Sequence, residues 1–547
     1  MAVLRRVLGP LLLFVVLTAA MTWPQVARLG TEATAHPDVY FNMWRFGWIA
    51  HAVATNPQRV LDANIFYPEK RTLTFSDAMP VEAVFAVPML WAGVPPVLVH
   101  NLMLLGAMVF SALGIYVLAR RLTGSTAAGI TAGVIFAFAP YRFEHYMHME
   151  LQWAVWIPWA FWALHRTIES GRRRDGALTG LFIALQFLSS IYYGVFLAVL
   201  LPVVAALLLS GLRGERLRKS VIALAGGALL AGVLVAPYAL EYVRTAKATG
   251  FRPEEQVLMF SAKPSSYTVA TDTNFLYGAW RPSKGRPERR LFPGILPLLL
   301  AVVGLLLRRP SRAAVSYLIA LALAFEMSLG LYGYSFTFLY EHIPAFGGLR
   351  APARVGVYVL FFLGLLAAWG HAALEHSVAA PGARGRRGRL AALAVVLGAI
   401  LVTEYWVAPL PLVRYPNKPP QLYAWLAQQP LGIVADLPVV SSTRALPGED
   451  PRYAYLSTFH WMPSINGYSG YYPPSYLSRI EPLSSFPSTK ATRALHRAGV
   501  RYVILHTMSY EIEEVSAVLY ALAADDNYTQ LGSFDDDRGQ AVVYLLR

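Results

Sequence analysis

The chain has 547 residues, 56% of them hydrophobic and only 14% charged, with a formal net charge of +15 and no cysteine. A soluble protein of this length carries roughly a quarter charged residues, so a water-soluble globular fold is excluded. The absence of cysteine excludes disulfides, thiol nucleophiles and thiolate metal sites.

Apolar stretches recur near 7–23, 96–118, 125–140, 150–167, 176–190, 193–211, 220–239, 291–307, 313–331, 353–373 and 389–408. Each is about as long as a crossing of a hydrocarbon core of roughly 30 Å requires, which predicts about eleven transmembrane helices. The first run has a basic start (Arg5, Arg6) and small residues, as a signal peptide does. The many spans that follow favour an uncleaved first helix. "GGALLAG" (226–232) lies inside an apolar run, where small residues serve helix packing. There is no Walker loop and no GxGxxG between a strand and a helix.

The short loops set the orientation. With the N-terminus cytoplasmic, the inner connectors are Arg5–Arg6, Arg120–Arg121, "HRTIESGRRRD" (165–175), "RGERLRK" (213–219), "RRPSR" (308–312) and "ARGRRGR" (383–389). They hold about 19 basic residues against four acids, an excess that matches that of the whole chain. The basic balance is thus a topology signal that implies no nucleic-acid partner, although these runs can meet anionic lipid headgroups. A membrane domain over 1–410, with outer loops 24–95, 140–149, 240–290 and 332–352, is expected to precede an extracytoplasmic α/β domain over 411–547.

The first outer segment, "TEATAHPDVYFNMWRFGWIAHAV" (31–53), places Asp38 ahead of an aromatic helix. Phe41, Trp44, Trp48, Ile49 and Ala52 share one face, predicting a helix that lies in the membrane interface. Asp38 reads either as the cap of that helix or as a chemical group. The loop "APYRFEHYMHMELQW" (139–153) gathers Arg142, Glu144, His145, His148 and Glu150, a costly set at a membrane boundary unless it serves something. Asp38, Glu144, His145 and His148 are the candidate ligands of a divalent cation. Interfacial hydrogen-bonding histidines are the alternative reading. In "YEHIPAFGGLRAPARVG" (340–356), Arg350 and Arg354 are spaced i, i+4, and guanidinium forks match phosphate oxygens. Snorkelling to ordinary headgroups is the alternative. The loop 240–290 adds Arg244, Lys247, Arg252 and Lys263 and leads into "ERRLFPG" (288–294).

In the tail, "GIVADLPVV" (432–440) and "VRYVILH" (500–506) read as strands. "PPQLYAWLAQQ" (419–429), "TKATRALHRAG" (489–499) and "EIEEVSAVLYALAA" (511–524) read as helices. "YTQLGSF" and "QAVVYLL" form a hairpin around "DDDRG", whose acids read as a solvated turn or a metal site. "HWMPSINGYSGYYPPSY" (460–476) offers aromatic surfaces suited to sugar rings, or packs as a loop that holds the tail to the membrane.

"HPDVYFNMWRFGW", "ANIFYP" (63–68), "FAPYRFEHYMHMELQ" (137–152), "LFPG" (291–294), "LRAPAR" (349–354) and "NGYSGYYPPSY" (466–476) together resemble the C-type (GT-C) membrane glycosyltransferases that use polyprenyl-phosphate sugars. The resemblance implies an α-helical polytopic membrane fold with a small α/β extracytoplasmic C-terminal domain. It implies transfer of a sugar from a polyprenyl-phosphate donor to an extracytoplasmic acceptor, at a bacterial cytoplasmic membrane and in contact with membrane lipid. Asp38 matches the family's first-loop acid and is the expected base, with Glu150 or His148 as an orienting group. Arg142, Arg350, Arg354 and Lys263 are expected near the lipid phosphate, and Trp44, Asn466 and Tyr468 near substrate. The family's usual pair of adjacent first-loop acids is missing here, so no cofactor beyond a possible divalent cation is expected. A lipid-linked saccharide flippase and a catalytically inactive GT-C-like scaffold are the competing readings.

Overall fold

The structure is a computed structural model that describes residues 2–250, 252–279, 286–307, 309–378, 385–536 and 538–547, with side chains from Val7 onward. Arg308, Arg384 and Asp537, and part of the loop 240–290, lie outside the described residues. The chain folds as two compact units, one built from 1–27 and 103–410, the other from 28–102 and 411–547.

The first unit is helical, and every predicted apolar run falls on a helix. Among the described residues, five helices are long and apolar enough to cross a membrane: Pro96–Thr123, Ile191–Leu209, Gly214–Thr249, Pro352–Val378 and Arg386–Tyr405. Others, such as Thr126–Phe138 and Arg312–Ser328, have 13 and 17 residues. At 1.5 Å per residue these reach only about 20–25 Å. The chain is an integral membrane protein. Gly356–Val378 is buried along most of its length and forms the centre of this unit. Small residues set one crossing: a Cβ on Gly180 would stand 1.9 Å from the carbonyl oxygen of Gly227, so the helices Arg173–Ser189 and Gly214–Thr249 touch backbone to backbone. The packing role read into "GGALLAG" rests on that contact.

The second unit joins segments far apart in sequence. Strands β1 (Glu32–Thr34) and β2 (Leu412–Arg414) pair antiparallel. A four-stranded sheet contains β3 (Ile433–Leu437), β4 (Val500–His506), β5 (Tyr528–Asp535) and β6 (Gln540–Leu546), in the order β3-β4-β6-β5. β3 and β4 are parallel and the other neighbours antiparallel. The expected hairpin and strands are present, as are the helices Thr489–Arg497 and Ile512–Ala523, whereas the helix predicted at 419–429 shortens to Gln421–Leu426. One face of the sheet is covered by Leu483, Phe486, Leu495, Val518 and Leu522.

The β3 edge is continued by irregular chain. Val434 accepts from the Ile465 N–H (3.0 Å) and donates to Pro463 O (2.9 Å). On the far side, Phe66 N–H donates to Asn466 O, Tyr67 N–H to Ser464 O (2.9 Å each), and Ser464 N–H to Asn64 O (2.8 Å). The segment 64–67 therefore extends the sheet of the tail.

The helix Pro37–Thr55 differs from its predicted setting. Its polar residues Asn42 and Arg45 are buried along with Phe41, Trp44 and Ile49. It packs against the helices Asp450–Leu456 and Pro80–Trp91. An interfacial helix keeps its polar face in water, so this one is a core helix of the second unit.

Candidate active site

In the second unit, Asp38 stands in the first turn of Pro37–Thr55, behind Pro37. The cap is His36, whose Nδ1 accepts from the Asp38 backbone N–H at 3.1 Å. The capping alternative for Asp38 is thereby removed. Its carboxylate accepts from the Tyr468 hydroxyl at 2.5 Å through Oδ1, and its Oδ2 lies 3.9 Å from His36 Nδ1. The Asp38 side chain is 13% exposed. The Tyr468 ring packs edge-on against Phe41, centroids 5.1 Å apart.

Trp44 and Asn466, both expected at substrate, are fully enclosed. Trp44 stacks on Phe41 and donates its indole N–H to Asn64 Oδ1 at 3.1 Å. Asn466 donates to Asp436 O and Asp450 Oδ1 (3.0 Å each) and accepts from the Asp436 N–H (2.8 Å). Each has spent its polar groups inside the protein. Their work is to hold the two chain segments that present Asp38 and Tyr468.

Asn466 belongs to a buried polar network that the sequence reading missed. His506, at the end of β4, bridges Asp436 (Nε2, 2.9 Å) and Asp536 (Nδ1, 2.7 Å). Arg452 reaches Asp536 at 2.9 Å. Asp450 accepts from Tyr476 and Asn466. Burial pushes the Asp450 carboxyl up to about 7, against the pull of these two donors. Burial also opposes ionisation of Asp536, but His506 and Arg452 outweigh it and hold that carboxyl well below the usual range. For His506 burial opposes the cation, and the two carboxylates prevail and raise it. Asp536 is therefore an internal anchor, and the solvated-turn reading of the triple acid is corrected for it. Three acids in a hairpin turn gave no hint of a histidine 30 positions upstream.

In the first unit the loop 139–153 is turned inward. Arg142 is 1% exposed and donates to the carbonyls of Leu151 and Gln152 at 2.7 Å each. Gln152 returns bonds to the carbonyls of Arg142 and His145 at 2.8 Å. Arg142 is thus a clamp within its own loop, and its expected place on a phosphate is withdrawn. Glu144 pairs with Arg290 (3.1 and 3.2 Å), which also reaches Asp272 at 2.8 Å. Burial raises the Glu144 carboxyl, with Arg290 opposing. Glu150 is buried within electrostatic reach of Arg354 and Tyr193. The His145 and His148 rings meet at 5.3 Å between centroids. Among the described residues no three His, Asp or Glu side chains gather as metal ligands. With Glu144 committed to Arg290, the candidate cation set does not fit a metal as it stands.

The cations come together on aromatic faces. Arg286 and Arg350 lie 5.2 and 5.5 Å from the centroid of one ring, Phe260. Arg354 lies 4.7 Å from the Tyr192 ring, whose hydroxyl accepts the Arg350 backbone N–H at 3.0 Å. Lys263 stands over Tyr332 at 5.3 Å. Arg354 is buried, 3.8 Å from Glu288. Among the described residues neither Arg286 nor Arg350 has a carboxylate partner. A guanidinium held by a ring face keeps its edge N–H groups for an oxyanion. Sequence reasoning singled out Arg350 and Lys263 but not Arg286 or Phe260, which the structure places beside Arg350. The "ERRLFPG" segment did point here, since it supplies Arg290 to Glu144 and Glu288 to Arg354.

The family model described as "Domain of unknown function (DUF6311)" matches residues 43–347. No curated protein matches the sequence. Among solved structures, the arabinofuranosyltransferase AftD from Mycobacteria is similar with a TM-score of 0.63 and 14% identity, over 99% of this chain and 40% of that one. This chain therefore spans two fifths of the length of AftD. The Archaeoglobus fulgidus oligosaccharyltransferase is similar at a TM-score of 0.49 and 14% identity, over 97% of this chain and 73% of that one. ArnT from Cupriavidus metallidurans is similar at 0.47 and 13%, over 100% and 98%. The fold is that of the GT-C glycosyltransferases.

Proposed function

The chain belongs to the DUF6311 family, and from that premise and its GT-C fold we propose that it is a membrane glycosyltransferase acting on a polyprenyl-phosphate sugar. The charge asymmetry of the loops supports a cytoplasmic N-terminus and an extracytoplasmic second unit, in a bacterial cytoplasmic membrane. The observation that carries the reading is Asp38: a largely enclosed carboxylate, fixed by Tyr468, in the first turn of a helix whose side chains lock it in the core.

Asp38 takes the proton of an acceptor hydroxyl as that oxygen attacks the anomeric carbon. The bond from that carbon to the phosphate oxygen breaks, and its electron pair leaves on polyprenyl phosphate. The transfer inverts the anomeric centre. Arg350 and Arg286, with Lys263, stabilise the charge that grows on the phosphate. Glu150 acts through Arg354, and His148 remains a candidate orienting group. A lipid leaving group needs no nucleotide fold. AftD makes pentofuranosyl donors the first class to try.

The test uses purified protein and a panel of radiolabelled polyprenyl-phosphate pentoses and hexoses. Release of polyprenyl phosphate by wild type, and its loss in Asp38→Asn with the protein still folded, is the expected result. Equal release by Asp38→Asn overturns the assignment of the base. Movement of intact donor across the bilayer without release favours the flippase.

A further inference from the structure

Within the first unit, the helices Pro96–Thr123, Ile295–Leu307, Arg312–Ser328 and Gly356–Val378 leave a cavity of about 490 Å³ at one end of the bundle. Leu122, Leu305, Leu307, Leu366 and Trp369 give it apolar walls. Arg309 stands in the lining, at the turn between Ile295–Leu307 and Arg312–Ser328. Gly304 fixes the depth of the walls. A Cβ there would lie 2.7 Å from the Gly370 nitrogen, so Trp369 sits about one turn inside the end of Ile295–Leu307. The space thus runs from the helix ends, where Arg309 is, into the level of the spanning segments.

The arginines on the helix ends around this cavity divide into two kinds. Arg121 is paired with Glu169, and Arg312 donates to the Ser210 hydroxyl at 2.7 Å. Arg120 and Arg309 have neither a carboxylate nor a hydrogen-bond acceptor for their guanidinium among the described residues. The Arg120 Nε is even buried in that condition. Arg120 is spaced i, i+3 from Thr123, a further lining residue, so the two share one side of their helix. The hydroxyls in the lining are already spent: Thr123 Oγ1 donates to Ala119 O at 2.8 Å, and Ser311 Oγ accepts from the Ala314 N–H at 3.1 Å. What the cavity offers a ligand is hydrocarbon walls and unspent positive charge.

Apolar walls do not hold water, and the volume falls within the roughly 300–1,000 Å³ of small-ligand sites. A free guanidinium at the mouth suits an oxyanion. A phospholipid with an anionic headgroup brings an acyl chain and a phosphate to that depth together. The charge rule makes this the cytoplasmic side, the leaflet whose anionic lipids meet basic pockets between spanning helices. We propose that the cavity binds one anionic phospholipid, with an acyl chain against Leu366 and Trp369, its phosphate on Arg309 and Arg120 as the second cation. Arg350 and Arg354 precede the first residue of Gly356–Val378, whereas the cavity lies toward its last turns. The site is therefore separate from the cations assigned to the donor, and the proposal stands without the glycosyltransferase reading.

The test adds phosphatidylglycerol or phosphatidylcholine of identical acyl chains to the full chain in detergent and counts retained lipids by native mass spectrometry. Wild type is expected to keep a single phosphatidylglycerol with several-fold higher affinity than phosphatidylcholine, and glycerol phosphate alone is expected not to bind. Arg309→Gln should abolish the preference, while Arg213→Gln, on an exposed connector outside the lining, should keep it. Leu305→Trp, which fills the cavity, should lose both lipids in protein that melts as wild type does. Phosphatidylglycerol carrying a diazirine on its acyl chain checks the seat in the unaltered protein, with adducts expected on residues 366–369. Equal retention of the two lipids by wild type overturns the proposal. A loss in Arg213→Gln equal to that in Arg309→Gln overturns it too, because diffuse charge then suffices. So do adducts confined to the exposed Leu298 or Leu318, because the chain then lies outside the cavity.

Discussion

The Tyr468 hydroxyl donates to the Asp38 carboxylate at 2.5 Å across 430 positions of sequence. A residue of the tail thus completes the surroundings of a residue that follows the first helix. Tyr468→Phe removes one hydrogen bond to a charged group while keeping the ring on Phe41. Such a bond contributes about 1.5 kcal/mol or more, so turnover is expected to fall by roughly tenfold or more. The KM for donor is expected to stay near wild type. A raised KM with unchanged kcat would instead place Tyr468 on the substrate.

Arg350 and Arg142 should behave differently, although both are loop arginines. Arg350→Ala is expected to raise the donor KM about tenfold and leave the melting temperature nearly unchanged, with Arg350→Lys recovering part of the loss. Arg142→Met strands two buried carbonyls, at a cost of about 2–4 kcal/mol. It should lower the melting temperature and leave donor KM alone in the protein that still folds. Thermal shift and donor saturation curves separate the two.

Stability of the second unit should fall as pH rises toward neutrality. Asp450 titrates near 7 in the fold because of burial, with Tyr476 and Asn466 bonded to it and Asp436 and Glu449 facing it. Unfolded, it titrates near the ordinary aspartate value. Above that value the unfolded chain loses the proton first, so stability declines from about pH 4 to about pH 7 and then levels off, by a few kcal/mol in all. His506, raised in the fold, adds stability at acid pH that is lost as pH climbs through its folded value. Asp536, depressed, works in the other sense, and its share is lost only in strong acid. Melting curves of the full chain between pH 4.5 and 8.5 check this. Asp450→Asn should flatten the slope, and a variant curve parallel to wild type would contradict the assignment.

Two glycines of neighbouring helices give a further contrast. Gly180→Leu forces a side chain into the carbonyl of Gly227, while Gly226, one residue away, has nothing within 4 Å of its would-be Cβ. Overpacking costs typically 1–3 kcal/mol or more, so Gly180→Leu should sharply reduce folded yield and Gly226→Leu should not. Size-exclusion profiles of the detergent-solubilised variants read the difference.

Hydropathy made the helices legible, because the bilayer requires long apolar runs wherever the chain crosses it. The strands of the tail were legible for a similar reason: period-two patterns bounded by turn residues are local signals. What stayed hidden was long-range pairing. Nothing near Asn42 or Arg45 tells a reader that a helix from the tail will cover them, so an apolar stripe looked like a membrane face. Arg142 and Asp536 misled in the same way. A charged side chain in a loop looks available until its partners, often distant backbone carbonyls or a histidine on another strand, are placed. Asp38 itself stood out, because an isolated acid in an apolar setting is conspicuous without any partner.

The strip 64–67, hydrogen-bonded to 464–466, also bears on biosynthesis. It leaves the ribosome long before the tail does, with residues 103–410 still to be made and inserted. Residues 68–466 must all be made before that pairing can form, and at about 5–20 residues per second the wait is roughly 20–80 s. Through it, Phe66 and its neighbours must wait with their ladder edge unmatched, and a chain truncated before the tail would leave that edge open for good.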